Sequence, residues 1–346
     1  MDLRKKILED LEPSAARVVF SQKPLVLLCG GKVEGESLAK LGTKDESFLS
    51  RLSSRLSRLN PFGVDASSKS PNHAAASSAR SIRHQFFNFR PDFRIFRPEE
   101  ITNWQHDGVF KNLMDFESEL AGMCSLVVVV LESEGAIAEL GAFSQLSDFK
   151  GKLIAIVSSE HTKEDSFISL GILRHVADEH PTSVKLYPWD IKFPEKVTSD
   201  LIQGMMDDIK EELALLKDSR RLSLSSGAHM IVIIYELVSL FVALKEVEIL
   251  EAMQALGCEV KREHVRRKLF LLEYFGYIDR IAYSDAQFYT SRVSSEEFHR
   301  VRFALKSKGA FNPVRIRLDL LSYYRTTASE KNRFRAIRQA KIAGEI

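Results

Sequence analysis

Leu126-Val127-Val128-Val129-Val130-Leu131 runs directly into Glu132-Ser133-Glu134-Gly135-Ala136-Ile137-Ala138-Glu139-Leu140-Gly141-Ala142-Phe143. An apolar run with no polar face is the pattern of a parallel strand buried on both sides. The residues after it carry helical spacing, and such a strand delivers its carboxyl end to the ligand crevice of the sheet. Gly135 lets the chain approach a ligand closely before the helix begins. Glu139 is expected in the first helical turn, where the macrodipole lowers the cost of ionisation and holds a carboxylate ready as a nucleophile. Gly141 removes bulk beside it. The same spacing also suits an acidic residue that merely decorates a helix start.

Working outward, Pro24-Leu25-Val26-Leu27-Leu28-Cys29 is a second apolar run, closed by the turn residues Gly30-Gly31. Similar runs recur at Phe93 to Phe96, Leu153 to Val157 and Val184 to Tyr187. Helical patterns separate them at Val109 to Met123, Ala136 to Leu146 and Lys196 to Lys217. Strand alternating with helix predicts an α/β fold with a doubly wound parallel sheet. Between the first two strands lies a connection of roughly 60 residues, far above the usual loop length, which reads as an inserted segment at about 41–90. It opens with an amphipathic pattern from Phe48 to Leu59. From Val64 to Arg83 it turns to Ser and Ala, a composition that buries little and suits a mobile segment, a lid or a docking loop.

Polar and small residues from Asp218 to Gly227 break the helical pattern and mark a boundary. A first unit of residues 1–218 is followed by a smaller one at 228–312 and a basic tail at 313–346. In the second unit, helices at Met230 to Leu244, Glu246 to Leu256 and Arg262 to Phe275 precede two β-prone runs between Tyr277 and Val293. That order predicts a winged-helix-like domain.

Composition narrows the function classes. Of 346 residues, 45% are hydrophobic and 28% charged, and no stretch reaches the roughly 20 apolar residues that a bilayer span requires. No membrane residence is expected, and the charged start of the chain does not indicate export. Three scattered cysteines suit a reducing cytoplasm and neither a disulfide framework nor structural zinc. His84, His106 and His175 lack ligand spacing, so no metal is expected. The net charge of +2 hides an asymmetry, with about +8 from Arg220 onward and about −6 before it. Lys261, Arg262, Arg266, Arg267 and Lys268 share one helix with the apolar stripe Val265, Leu269 and Leu272, and are the candidate nucleic-acid contacts. Tyr277, Tyr283, Phe288 and Tyr289 are either stacking surfaces or core.

Gly-x-x-x-Glu-Leu-Gly after an apolar strand resembles the nucleophile motif of the nucleoside 2-deoxyribosyltransferase superfamily, at Gly135, Glu139 and Gly141. Further blocks in order resemble its retron-associated effector branch: Leu27 to Gly31, Phe96 to Glu100, Glu132-Ser133, Glu139 to Ser144, Lys152 to Ile154, Ser166-Phe167-Ile168, Gly171 and Arg174. The resemblance spans roughly residues 23 to 190. The chain departs from classical deoxyribosyltransferases in having Cys29-Gly30-Gly31 where they carry a small-Gly-Pro loop. It also offers Glu132, Ser133 and Glu134 where they place an aspartate.

The resemblance implies an N-glycosidic-bond enzyme in phage defence, acting as a toxin under the control of a reverse transcriptase and its multicopy single-stranded DNA (msDNA) with the attached RNA. Glu139 is then the nucleophile, and Glu117 on the preceding helix is either a further carboxylate presented to the site or part of a solvated face. Glu132 would orient sugar hydroxyls or stabilise positive charge, and Ser133 would donate a hydrogen bond; both residues equally suit helix capping. Cys29, Gly30 and Gly31 at the end of the first strand would cradle a phosphate or sugar, where the glycines alone suit an ordinary turn, and Arg174 would pair with a phosphate or form a structural salt bridge. NAD or a nucleotide is the expected substrate, so no cofactor is required. Hydrolase or transferase chemistry, and a homo-oligomer or a filament, stay open. Two other functions fit the same residues: a housekeeping nucleoside deoxyribosyltransferase, and a DNA-binding regulator with a nucleotide-sensing domain.

Overall fold

The computed structural model describes residues 2–31, 81–89, 91–101, 108–162, 166–193, 196–217, 219–292 and 298–344. The amphipathic stretch at 48–59 and most of the 41–90 insertion lie outside the described residues, as does His106.

The chain begins with α1 (Leu3–Asp10), capped by Asp2, and β1 (Leu11–Val19). The parallel sheet starts at β2 (Leu25–Cys29). The short helix α2 (Ile82–Gln85) precedes β3 (Arg94–Phe96). Helix α3 (Leu113–Met123), β4 (Leu126–Val130), α4 (Glu134–Ser144) and β5 (Leu153–Ser158) follow. A π-helical segment, Phe167–Leu173, then continues into α5 (Arg174–Glu179), and β6 (Val184–Tyr187) and α6 (Ser199–Leu215) complete the unit. Strand order is β3-β2-β4-β5-β6, all parallel, with Val26 opposite Leu126 and Val127 opposite Leu153.

Because side chains alternate along a strand, each central strand supplies both faces. Leu27, Cys29, Val127 and Val129 face one core with α3 and α4, whereas Val26, Leu28, Val128 and Val130 face another with α2 and α6. Helices therefore cover both faces, and double burial is what made these strands continuous apolar runs.

The remaining elements are β7 (Ser219–Arg221), α7 (Gly227–Leu240), α8 (Glu246–Ala255) and α9 (Arg262–Tyr274). The hairpin β8 (Ile278–Tyr283) and β9 (Ala286–Ser291), then β10 (Arg300–Leu305), α10 (Pro313–Thr326) and α11 (Lys331–Gly344), end the chain. The expected order of three helices and a hairpin is present, and Leu244 adds a single antiparallel bridge to Tyr289. Helix α7 is apolar on all sides because it is buried on all sides. Its one charge, Glu236, accepts a two-point contact from Arg300 at 2.6 and 2.8 Å. Among the described residues no helix is long and apolar enough to cross a membrane.

Two features differ from the sequence expectations. A second, antiparallel sheet, β10-β1-β7, takes residues 11–19 out of the parallel unit and pairs them with 300–305 and 219–221. The segment expected as a basic tail forms two helices over its described residues 313–344, and its Arg333 is buried, bonding Glu330, Glu248 and the Ala243 carbonyl.

Where the two sheets meet, His299 is buried and its Nδ1 accepts a hydrogen bond from the Ser21 amide at 3.0 Å. Burial first, and the nearby Lys152 charge second, push its pKa down from 6.5 to about 4. Between those values the unfolded chain binds the extra proton. The stabilisation is therefore whole above pH 6.5 and is lost as pH falls towards 4, by about 3 kcal/mol. Urea unfolding at pH 7.5 and 4.5 checks this: His299→Gln, which keeps an acceptor for Ser21, is expected to flatten the difference. An equally steep loss in the variant would acquit His299.

Candidate functional site

In the order β3-β2-β4-β5-β6 the chain leaves β2 towards one edge and later strands run to the other, so the switch point lies between β2 and β4. Ligand crevices open there, at the carboxyl ends of the strands. Gly30-Gly31 and Glu132-Ser133 occupy those two ends, and the structure brings them into contact.

Glu132 is the centre of that contact. Its Oε1 accepts from the Gly31 amide at 2.9 Å and the Ser81 hydroxyl at 2.6 Å, and its Oε2 accepts from the Ile82 amide. The carboxylate thus sits at the start of α2 and ties residues 81–83 to the sheet. The glycines serve the same packing: a Cβ on Gly30 would stand 2.9 Å from Glu132 Oε1, and one on Gly31 2.9 Å from Glu132 Cγ. Arg83, fully buried, spans the junction by donating from Nε to the Gly31 carbonyl at 2.7 Å. Ser81 and Arg83 escaped the sequence reading, which assigned 64–83 to a mobile stretch on composition. The available signal was the pair Ile82 and Phe86, one helical turn apart and both buried.

Ser133 is the N-cap of α4, its Oγ accepting from the Ala136 amide at 3.1 Å. Gly135 is exposed at the second helical position, and a Cβ there would meet only Ser133 Oγ, at 3.8 Å. Nothing within the described chain demands glycine there, which leaves room beside the mouth. Glu139 is the sixth residue of α4, so it lies in the second turn and not the first. The macrodipole acts mainly within the first turn; the residue is half-buried, with Oε2 out of contact with solvent. Gly141, farther along α4, lies where a Cβ would be 3.5 Å from Ile172, so the π-helical segment packs closely on this helix.

Other candidates are more scattered. Glu117 is buried on α3 beside Phe116 and Leu120. The Cys29 side chain faces the core, leaving only its backbone to the crevice. Arg174 is exposed at the start of α5.

The basic helix α9 divides into two faces. Lys268 is buried and bonded to Glu119 of α3, and Arg267 reaches Asp115 and the Val109 carbonyl, each at 3.3 Å. These two cations hold α9 against the parallel unit. Lys261, Arg262 and Arg266 are exposed, the last two sharing Glu246. Tyr277, Phe288 and Tyr289 are core residues.

The family model of the STM3845 retron effector protein matches residues 79–280, from the segment held by Glu132 to the first strand of the hairpin. Two proteins of Escherichia coli are similar over shorter stretches. The "Retron Ec86 putative ribosyltransferase/DNA-binding protein" is 33% identical over 99 residues, 28% of this chain and 32% of that one. The "Retron Ec73 putative ribosyltransferase/DNA-binding protein" is 32% identical over 72 residues, 21% of this chain and 23% of that one. The matched stretches span about a third or less of either relative's length.

Proposed function

Given that this chain belongs to the STM3845 retron effector protein family, we propose that it is an N-glycosidase of a retron defence system, with Glu139 as nucleophile and NAD as substrate. The observation that carries the reading is the position of Glu139: it is half-buried on the helix that leaves the switch-point strand, behind an N-cap and an open glycine. The ribosyltransferase in the two relatives' names agrees with attack at an anomeric carbon.

In the proposed reaction a Glu139 oxygen bonds to C1′ of the nicotinamide riboside through an oxocarbenium-like transition state. The C1′–N bond breaks, and its electron pair neutralises the pyridinium, so nicotinamide leaves without a proton donor. Water then opens the glycosyl ester to ADP-ribose and a proton, restoring the carboxylate. Glu132 holds Gly31 and residues 81–83 in place and thereby shapes the mouth.

The relatives' names also include DNA binding. For this chain we assign it to a winged helix of α7, α8, α9 and the hairpin, a reading supported by the bridge from Leu244 to Tyr289. The exposed Lys261, Arg262 and Arg266 are its phosphate contacts, and the reverse transcriptase with its msDNA is the controlling partner.

The test incubates the complex with reverse transcriptase and msDNA with NAD, nucleotides and deoxynucleosides, and follows free base by chromatography. Nicotinamide release is expected. Cleavage of deoxynucleosides alone, with NAD intact in the triggered complex, would overturn the substrate and restore the classical transferase.

A further inference from the structure

A cavity of about 610 Å³ opens at the end of the parallel sheet opposite Glu139. Its floor is formed where the strands begin, at Pro24, Phe93, Ser125 and Lys152. Its other wall comes from the carboxy-terminal half, including Arg220, His229 and His299. The volume lies within the range of small-molecule sites, roughly 300–1,000 Å³.

The lining is strongly basic, with six Lys/Arg against two Asp. Lys150 and Lys210 are paired with Glu179 and Asp207. Lys152, Lys217, Arg220 and Arg221 make no ion pair among the described residues. One of the two acids, Asp148, is already committed at the start of α7, accepting from the Ser226 hydroxyl at 2.9 Å and the Ala228 amide at 3.3 Å.

Two buried groups sharpen the chemistry. Lys152 is 7% exposed, and its Nζ donates a hydrogen bond to the Ala121 carbonyl at 2.9 Å. Burial holds its pKa down at about 8, and the pull of Asp148 in the other direction does not offset it. Ser125 is 9% exposed, and its Oγ is buried with no hydrogen-bond partner. A buried hydroxyl of this kind costs free energy unless something bonds it. Beside these, His229 accepts the Ser223 amide on Nδ1 at 3.0 Å, which leaves Nε2 to carry the proton and donate. Phe20, Phe93 and Val232 supply an apolar wall.

We propose that this seam binds a nucleotide through its phosphate, with Lys152, Ser125, Lys217 and Arg220 as the phosphate contacts and the base against Phe20 and Phe93. Free nucleoside phosphates and the 5′-terminal nucleotide of a DNA strand present the same group. The site is separate from the mouth at Glu139 and independent of the reaction proposed there. Its two walls come from different halves of the chain, so its occupant bridges them.

Calorimetry on the full chain at about 150 mM salt tests this with four probes: ADP, a 5′-phosphorylated hexadeoxynucleotide, the same strand with a 5′-hydroxyl, and inorganic phosphate. Binding on the order of micromolar is expected for ADP or for the phosphorylated strand, and which of them binds identifies the source. Lys217→Glu/Arg220→Glu, at two exposed positions, should weaken binding at least roughly tenfold. Ser125→Leu should do the same by filling the floor, and Glu139→Gln should leave the affinity unchanged. The proposal is overturned if neither nucleotide probe binds, if inorganic phosphate or the hydroxyl strand binds as tightly, if both seam variants bind normally, or if Glu139→Gln abolishes binding.

Discussion

Glu139→Gln is expected to lower glycosidic turnover by roughly a thousandfold or more, and to abolish any growth arrest that the activity causes, while the unfolding midpoint stays within a few degrees. The amide keeps the shape of the side chain and its place in the second turn of α4 but cannot form the glycosyl ester. The substitution is mild for the fold, because the half-buried side chain, with Oε2 enclosed, gives way to a neutral group of equal size. Nicotinamide release, circular dichroism and thermal melting on the same preparation separate the two effects. Near-normal turnover in a folded variant would remove Glu139 from the mechanism.

Glu132→Ala should act in the opposite order, on structure before chemistry. It leaves the Gly31 and Ile82 amides and the Ser81 hydroxyl without their common acceptor. Hydrogen bonds to a charged group contribute about 1.5–3 kcal/mol each and are not additive, so a total loss of about 4 kcal/mol is expected. Amide exchange at Ile82 and Arg83 should accelerate, since the Glu132 bonds are among the contacts that hold α2 to the sheet, beside Arg83 and the buried Ile82. Gly31→Ala should reproduce the effect with Glu132 intact, because its Cβ would press on Glu132 Cγ. If Glu132→Ala lost activity while stability and exchange at residues 81–86 were unchanged, the carboxylate would act on substrate instead.

What could be read from the residues follows from how each element is buried. Strands β2, β4 and β5 are covered on both faces, and double burial writes an unbroken apolar run. Strand β7 is Ser219-Arg220-Arg221, without one apolar residue; it is a strand because β1 offers it a backbone ladder, which leaves no trace in its side chains. Strand β1 carries Pro13 and a register shift between Glu12 and Arg17, and neither suggests a central strand. At the mouth, the strand-to-helix turn before Glu139 was legible because the capping Ser133 and Gly135 follow the apolar run directly in the sequence. The closure by Ser81 and Arg83 was not, since it depends on a contact made across about 50 residues. Lys268 is an inward contact to Glu119 and not a surface cation, and its place was legible. It stands three residues after Val265 and four before Leu272, on the apolar stripe itself, and a cation there points inward.

The position of β1 between β7 and β10 sets an order of assembly during synthesis. The first partner, β7, emerges roughly 200 residues after β1 and the second, β10, roughly 280 residues after it. At about 5–20 residues per second, β1 waits on the order of a quarter of a minute to a minute for its second partner. The parallel unit has all five strands by residue 187 and can close around β4 well before then. The seam cavity needs Val18 from one end of the chain and His299 from the other. A nascent chain can therefore complete the mouth first and the seam last, and nothing that binds the seam can act on the protein until translation has passed β10.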